Sequence, residues 1–435
     1  MRCRKQLGGL GLKIVSTAFI HPHEGIRVRT AHIADQPHLL SLIGADDALA
    51  WVRGPADDQH GIVAWGEVDR VEVDGPERFS RAQRWWTKWC STAFGDEPIA
   101  FASFAFSSSS GSSVVVIPKF VVRRTEHGTT LTVTADAHTI DDDIAQAESE
   151  LAKPRVIETA HHSVTWAEGS RPVEDWAHAV DTAVERINAG ELDKVVLARD
   201  IVAKLDQPLN LGALLRKLNN AFPECWTFSV DGLIGATPEL LIRKDQDQVT
   251  SRVLAGTVRR SSDSHRDDQL AQALMGSDKD QEEHAYAVAS VASALASHCT
   301  DLNVPEEPFI LQLANVQHLA TDISGELVDG ASALALAASL HPTAAVCGTP
   351  TERAALMIRE LEHMDRGRYS APVGWIDRNS NGEFGIALRC AQIEDTHRTQ
   401  LRLYAGCGIV SGSTSESEVA ESQSKFAAMH NALEN

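Results

Sequence analysis

The chain is poor in the features that mark membrane-spanning, secreted or cysteine-metal proteins. Its 435 residues include seven cysteines, an odd number at scattered spacings with no C-x-x-C, so neither a disulfide framework nor a zinc site is signalled. No apolar run approaches the roughly 20 residues that span a bilayer. The greasiest stretch, Ala331–Leu340, is short, Ala-rich and broken by serine. The opening MRCRKQLGGLGLKIV is basic but lacks a compact apolar block and a small-residue cleavage site, so no signal peptide is expected. Positive charge is also in deficit: 60 Asp and Glu against 40 Lys and Arg leave a formal net charge of −20. That balance argues against nucleic acid or an anionic membrane as a partner. A soluble protein in a reducing, cytoplasmic setting is the expectation.

What remains is ordinary globular composition, 43% hydrophobic and 23% charged, with enough apolar mass for a substantial core. Length alone allows roughly three domains of ~150 residues. Residues 1–25 read as a loosely attached leader. From Ile26 to Val133, β-branched runs such as Gly61–Val73 and Val114–Arg124 alternate with turn signals, with a helix around Arg81–Trp89 between them. The run Ser107–Ser113 reads as a flexible hairpin loop. From Pro172 onward helices and strands alternate. Trp176, Val180, Val184 and Ile187 form one helical stripe within 173–189, and Lys194–Leu205 is a strand. Trp226–Lys244 reads as a hairpin on Asp231-Gly232. Helices are predicted over His265–Ser297, Ala331–Leu340, Glu352–Met364 and Glu416–Glu434, and GIALRCAQI (Gly385–Ile393) reads as one strand. Short turns between adjacent strands predict antiparallel pairing with helices gathered outside, an α+β arrangement.

The last helix carries the sharpest local pattern. Glu418, Glu421 and Lys425 lie at i, i+3 and i+7 and project from one face. The same residues also read blandly, as a Ser415-x-x-Glu418 capping box and a surface Glu421–Lys425 pair. Just upstream, Gly406 and Gly408 offer bare backbone that can cradle an anion. Glu282 and Glu283 form a second acidic cluster, and only one of two helical neighbours can face inward. Carboxylates from the two helices together would suit Mg²⁺ bound through few side chains, water and a substrate anion; solvated helix surfaces are the alternative. Lys194 opens an apolar strand, where a lysine ordinarily snorkels to water. Desolvated, it becomes a base. Glu239 is the mirror case, since burial keeps a carboxyl protonated as an acid. Arg389 interrupts an apolar run, and a buried arginine most often pairs with a carboxylate. His318 and His341 read as structural.

Together these segments resemble the chorismate-utilising enzymes: anthranilate synthase component I, aminodeoxychorismate synthase component I, salicylate synthase and isochorismate synthase. The matching stretches are DKVVLAR (Asp193–Arg199), GATPELL (Gly235–Leu241), LAGTVRR (Leu254–Arg260) and SDKDQEEH (Ser277–His284). VQHLATDISGEL (Val316–Leu327), LHPTAAVCGTP (Leu340–Pro350), VGWID (Val373–Asp377), ALRCAQI (Ala387–Ile393) and the run Tyr404–Lys425 follow in the family's order. The resemblance implies a single large domain of two packed, mostly antiparallel β-sheets with helices outside. It would span 26–435, with 172–430 carrying the active-site motifs, so length overestimates the domain count.

Within the family, Ala255 stands where aminodeoxychorismate synthase has its nucleophilic lysine, which removes a covalent lysine route. Lys194 resembles the members that use water, and H-P-T-A-A-V with Ala345 and Val346 resembles the isochorismate synthases. Salicylate synthase is the alternative, and a catalytically silent metal-binding relative is the competing class. The resemblance implies chorismate as substrate and Mg²⁺ as cofactor, with Glu283 and Glu421 as ligands and Glu418 assisting. Lys194 is then the base that activates water, and Glu239 the acid that protonates the departing hydroxyl. Arg389, Tyr404, Gly406 and Gly408 would hold the pyruvyl carboxylate. Gly256 would approach the ring carboxylate and Lys425 would add positive charge. Thr257, His318, Ala345 and Tyr369 are carried over as substrate-binding positions. No glutaminase subunit is required when water is the nucleophile, and a monomer is the default oligomeric expectation. Whether the product feeds menaquinone or a siderophore is decided by neighbouring enzymes.

Overall fold

The computed structural model describes residues 25–44, 48–111, 113–153 and 163–434. The expected leader, residues 1–25, lies outside them except for Gly25. The strands join into two layers. One runs, in spatial order, through Val164–Glu168, Lys194–Leu205, Gln400–Ile409, Cys390–Ile393, Leu233–Thr237, Trp226–Val230, Leu49–Arg53, His60–Val73, Ser113–Thr125, Gly128–Asp136 and Ile26–Ile33. The other starts from the same Ser113–Thr125 strand. It passes through Ile99–Ser103, Pro372–Asp377, Gly382–Ile386, Leu240–Asp245 and Gln248–Arg259 to Val316–Leu327. These pairings are antiparallel, and a short parallel contact joins Ile26–Ile33 to Phe94–Gly95.

The layers face one another across a cluster that includes Trp51 and Phe228 from the first and Phe101, Val373 and Trp375 from the second. This is where period-2 alternation places large apolar side chains. Helices cover the outer faces. Leu214, Leu215 and Leu218 of helix Leu211–Ala221 and Phe426 and Met429 of helix Ser415–Glu434 pack on Ala203, Leu401 and Leu403. Trp86 of helix Arg78–Thr92, Leu334 and Leu336 of Ala333–Leu340, and Val291 of Asp278–Leu295 cover Ile242, Val253, Ile323 and Phe384. No described helix is long and apolar enough to cross a membrane.

Three expectations need correction. The helix expected over 265–297 is two helices, Ser264–Met275 and Asp278–Leu295. They are parted at Gly276, and Ser277 caps the second by accepting from the Asp280 N–H. The hairpin over Trp226–Lys244 is real only as far as Thr237. Asp231 and Gly232 both take positive φ, 50° and 77°, the geometry that a two-residue Asp-Gly turn demands. At Pro238-Glu239 the chain then leaves one layer and re-enters the other as Leu240–Asp245. The run GIALRCAQI divides in the same manner. Gly382–Ile386 belongs to the second layer and Cys390–Ile393 to the first, with Arg389 at φ 48° in the crossing. The two crossings lie side by side, because the Ile386 N–H donates to the Glu239 carbonyl at 3.2 Å and the Thr237 hydroxyl to the Ile386 carbonyl at 2.6 Å. A strand that changes sheets must break its ladder, and the residues at the break are free to point into the space between layers. Glu239 and Arg389 occupy those two breaks.

Candidate active site

A narrow cavity opens at the crossings. Among its lining residues are Glu239, Gly256, Thr257, Glu283, His318, Ala345, Tyr369, Arg389, Gly406, Gly408, Glu421 and Lys425. Twelve positions singled out from the sequence, scattered from 239 to 425, thus share one space. Pro238, Leu254, Ala255, Val196, Val346, Ser370 and Leu388 complete the wall.

Lys194 lies just behind it. The ladder that pairs Val196 with Gly408 and Ala198 with Gly406 sets the start of its strand beside the end of Gln400–Ile409. Lys194 is wholly buried, and its Nζ lies 3.1 Å from Glu283 Oε1. Of the neighbouring acids, Glu283 faces inward, whereas Glu282 is exposed and accepts from the Tyr286 hydroxyl. Burial works against the Glu283 carboxylate, but Lys194, Lys425 and Lys279 together hold its carboxyl below the usual range. The opposite balance holds at Glu239. Burial pushes its carboxyl up to about 8 against an ordinary 4.5, although a backbone contact at Leu254 and the charges of Lys194, Arg389 and Lys425 pull it down. The two carboxyls in one cavity are therefore driven apart, one ionised and one protonated at neutral pH.

Two glycines are required by this packing. A β-carbon on Gly408 would lie 2.1 Å from Glu283 Oε1 and 3.0 Å from Lys194 Cε. Gly256 sits at φ 77° in a bulge of strand Gln248–Arg259, where the register slips between Ala255 and Thr257; only glycine takes that conformation without strain. The bulge sets Thr257 opposite His318, and their Oγ1 and Nδ1 are 3.0 Å apart. Arg389 Nη2 donates to His318 Nε2 at 3.3 Å. That contact fixes the ring as the neutral Nδ1–H tautomer, with the Gly256 carbonyl 3.3 Å from Nδ1. Burial and the Arg389 charge both push the imidazole well below its ordinary value. His318 thus orients the arginine and is not itself a charge.

The final helix departs from the bland reading. Glu418 is 2% exposed and pairs with Lys279 at 3.3 Å, so it is no surface capping-box member. The helix is capped instead by Thr414, whose Oγ1 accepts from the Ser417 N–H. Lys425 pairs with Glu421 and donates to the Gly406 carbonyl at 2.8 Å. Carboxylate oxygens of Glu418 and Glu421 and Cys407 Sγ lie within 4.8 Å of one another. Glu283 lies outside that cluster but shares the cavity lining with Glu421, and carboxylate oxygens are the hard donors that Mg²⁺ takes through few side chains plus water. Tyr404 stands one layer back from the space that the pyruvyl expectation gave it. It stacks behind Tyr369, ring centroids 5.1 Å apart, and lies outside the cavity lining. The phenol that approaches Gly406 is Tyr369, whose hydroxyl would be 3.1 Å from a β-carbon there.

Sequence reasoning missed a buried pair that braces this wall. Arg366 and Glu362 are 2% and 1% exposed. Arg366 donates to the carbonyls of Val346 and Val196 at 2.8 Å each, and Glu362 accepts from the Ala198 N–H at 2.7 Å. In sequence, RELEHMDR looks like a charged helix end, and only burial marks it as structural. Lys279 was also passed over, although it sits inside SDKDQEEH.

The profile of the chorismate binding enzymes matches residues 40–434. The chain is 32% identical over 404 residues to the isochorismate synthase MenF of Bacillus subtilis strain 168, covering 86% of this chain and 85% of that one. It is 40% identical over 272 residues to the isochorismate synthase DhbC of the same organism, covering 60% of this chain and 68% of the relative. The solved structure of MenF, the menaquinone-specific isochorismate synthase from Escherichia coli, superposes with a TM-score of 0.77 at 26% identity, over 94% of this chain and 95% of that one. With the two-layer fold and the cavity at its crossings, these likenesses establish that the chain belongs to the chorismate-binding enzyme family.

Proposed function

We propose that the chain is an isochorismate synthase, converting chorismate to isochorismate by adding water at C2 and expelling the C4 hydroxyl as the double bonds shift. One water is consumed and one released, so the reaction is an isomerisation. Lys194 takes the proton from the attacking water, and Glu239 gives its proton to the leaving hydroxyl. The observation that carries this reading is the buried Glu239 carboxyl in the lining of the cavity that Lys194 backs, where loss of solvent pushes it up to about 8. It is protonated at neutral pH and can therefore act as an acid. Arg389, oriented by His318, faces the pyruvyl carboxylate together with the backbone at Gly406 and Gly408 and the Tyr369 hydroxyl. Glu283, Glu421 and Glu418 would hold Mg²⁺, which when bound supplies charge neutralisation for a dianionic substrate. Ala345 and Val346 line the wall where pyruvate would have to leave. A cytoplasmic chain working without a glutaminase subunit completes the reading.

Purified protein given chorismate and Mg²⁺ is expected to accumulate isochorismate, separated by chromatography, and to lose that activity in excess chelator. Salicylate with stoichiometric pyruvate as the main product would make it a salicylate synthase, and full turnover in chelator would remove the metal from the mechanism. Gly408→Ala is expected to lower kcat by about 10²-fold, the scale of an ångström-sized misplacement, because the added carbon displaces Glu283. An unchanged kcat would show that Glu283 need not stay where it is.

A further inference from the structure

Three acidic residues and three lysines pair at or behind the cavity wall: Lys194 with Glu283, Lys425 with Glu421 and Lys279 with Glu418, and of the six Glu283, Glu421 and Lys425 line the cavity itself. The pairs differ in what would happen if a cation claimed the carboxylate. Lys194 is wholly buried and has no water to move into. Lys425 is held a second time by the Gly406 carbonyl. Lys279 is held at one point, 3.3 Å from Glu418 Oε1, and its side chain is 37% exposed. It stands in the first turn of helix Asp278–Leu295, outside the apolar core, on a stem of four carbons. Its partner is the reverse, 2% exposed and close to a second carboxylate, Glu421.

We propose that Lys279 is a displaceable internal counter-ion, seated on Glu418 where a divalent cation binds, and that its departure into solvent is part of cation binding. The proposal rests on the carboxylate set assigned above. Without a cation, two close carboxylates repel one another, and the ammonium relieves that repulsion. A cation entering the set must break the Lys279–Glu418 pair or meet its positive charge, so the lysine weakens the site it stabilises when empty. Lys279 thereby sets the affinity of the site without belonging to the ligand set.

The test is calorimetric titration of Mg²⁺ into the full chain without substrate, with Mn²⁺ followed by electron paramagnetic resonance as a second readout. Lys279→Met is expected to tighten the Mg²⁺ Kd by about fivefold to tenfold, roughly one decade at most for one exposed-side charge contact. Lys279→Arg, which keeps the charge, should stay within about twofold of the parent chain. A lysine needed only for structure would weaken binding when removed, never tighten it. Lys279→Gln serves the same purpose should the methionine variant fold poorly. If Glu421→Gln abolishes binding while Lys279→Met and Lys279→Gln leave Kd unchanged or weaker, the counter-ion role is overturned and the metal site stands. If Glu418→Gln and Glu421→Gln both retain the parent Kd, the ion binds elsewhere and both readings fall.

Discussion

Replacing Lys194 by methionine is expected to lower isochorismate formation by about 10²–10⁴-fold, the range a positioned general base contributes. The reason is geometric before it is chemical. Lys194 is wholly buried, and its amine has Glu283 at 3.1 Å and little else polar around it. Its neighbours Val195, Val196 and Leu197 are buried. Methionine keeps most of the stem, so the cavity wall survives while the proton acceptor is lost. The substitution also leaves the Glu283 carboxylate without its closest cation. Stranding one partner of a buried pair costs about 3–5 kcal/mol, and Lys425 and Lys279 remain to offset part of it. A lower melting temperature with unchanged far-ultraviolet circular dichroism is therefore expected alongside the kinetic loss. Lys194→Ala should show the same kinetic loss with a larger drop in melting temperature, because it adds a cavity. Near-normal turnover in either variant would assign the base elsewhere.

What was legible in the sequence, and what was not, follows from the range over which each signal acts. The Asp231-Gly232 turn and the β-branched run Gly61–Val73 are local, set by backbone sterics and side-chain branching, and both appear where expected. Glu283 against Glu282 was reducible to one inward residue by helical geometry, although which one needed the packing of helix Asp278–Leu295. The two layer crossings were not legible. GATPELL and GIALRCAQI read as continuous apolar strands because burial on both sides erases the alternation that would show where a strand changes sheet. Those erased breaks hold Glu239 and Arg389. The family resemblance supplied them as site residues, but no local pattern explained why chemistry should sit mid-strand. Gly276-Ser277 was missed for a different reason: one glycine costs a helix only about 1 kcal/mol, so the periodic pattern ran through it. Glu418 shows the reverse error, where a plausible local motif, the capping box, competes with a partner 139 residues away. Lys279 pairs at the same range and left no local trace.

Glu239→Gln is the sharper experiment, because activity and stability should move in opposite directions. Wild-type Glu239 is protonated below about 8, so the rate that depends on it should be flat through neutrality and fall as pH rises past that value. The variant should lose about 10²–10⁴-fold in kcat and also lose that alkaline limb. In the unfolded chain the carboxyl ionises near its ordinary 4.5, while in the folded chain burial raises it to about 8. Between those values the folded state binds the extra proton, so stability is fully present below about 4.5 and is lost as pH rises towards 8. Glutamine has no proton to lose and matches the shape of the protonated acid. The variant is therefore expected to be more stable than the parent at pH 8, by a few kcal/mol at most for a shift of this size, with the two converging near pH 4. Denaturant titrations at the two pH values measure the gap. Were Glu239 instead an ordinary ionised carboxylate held by Arg389 and Lys425, the variant would lose those contacts and be less stable at pH 8. Stability gained where activity is lost thus marks a carboxyl kept protonated for chemistry at a cost to the fold.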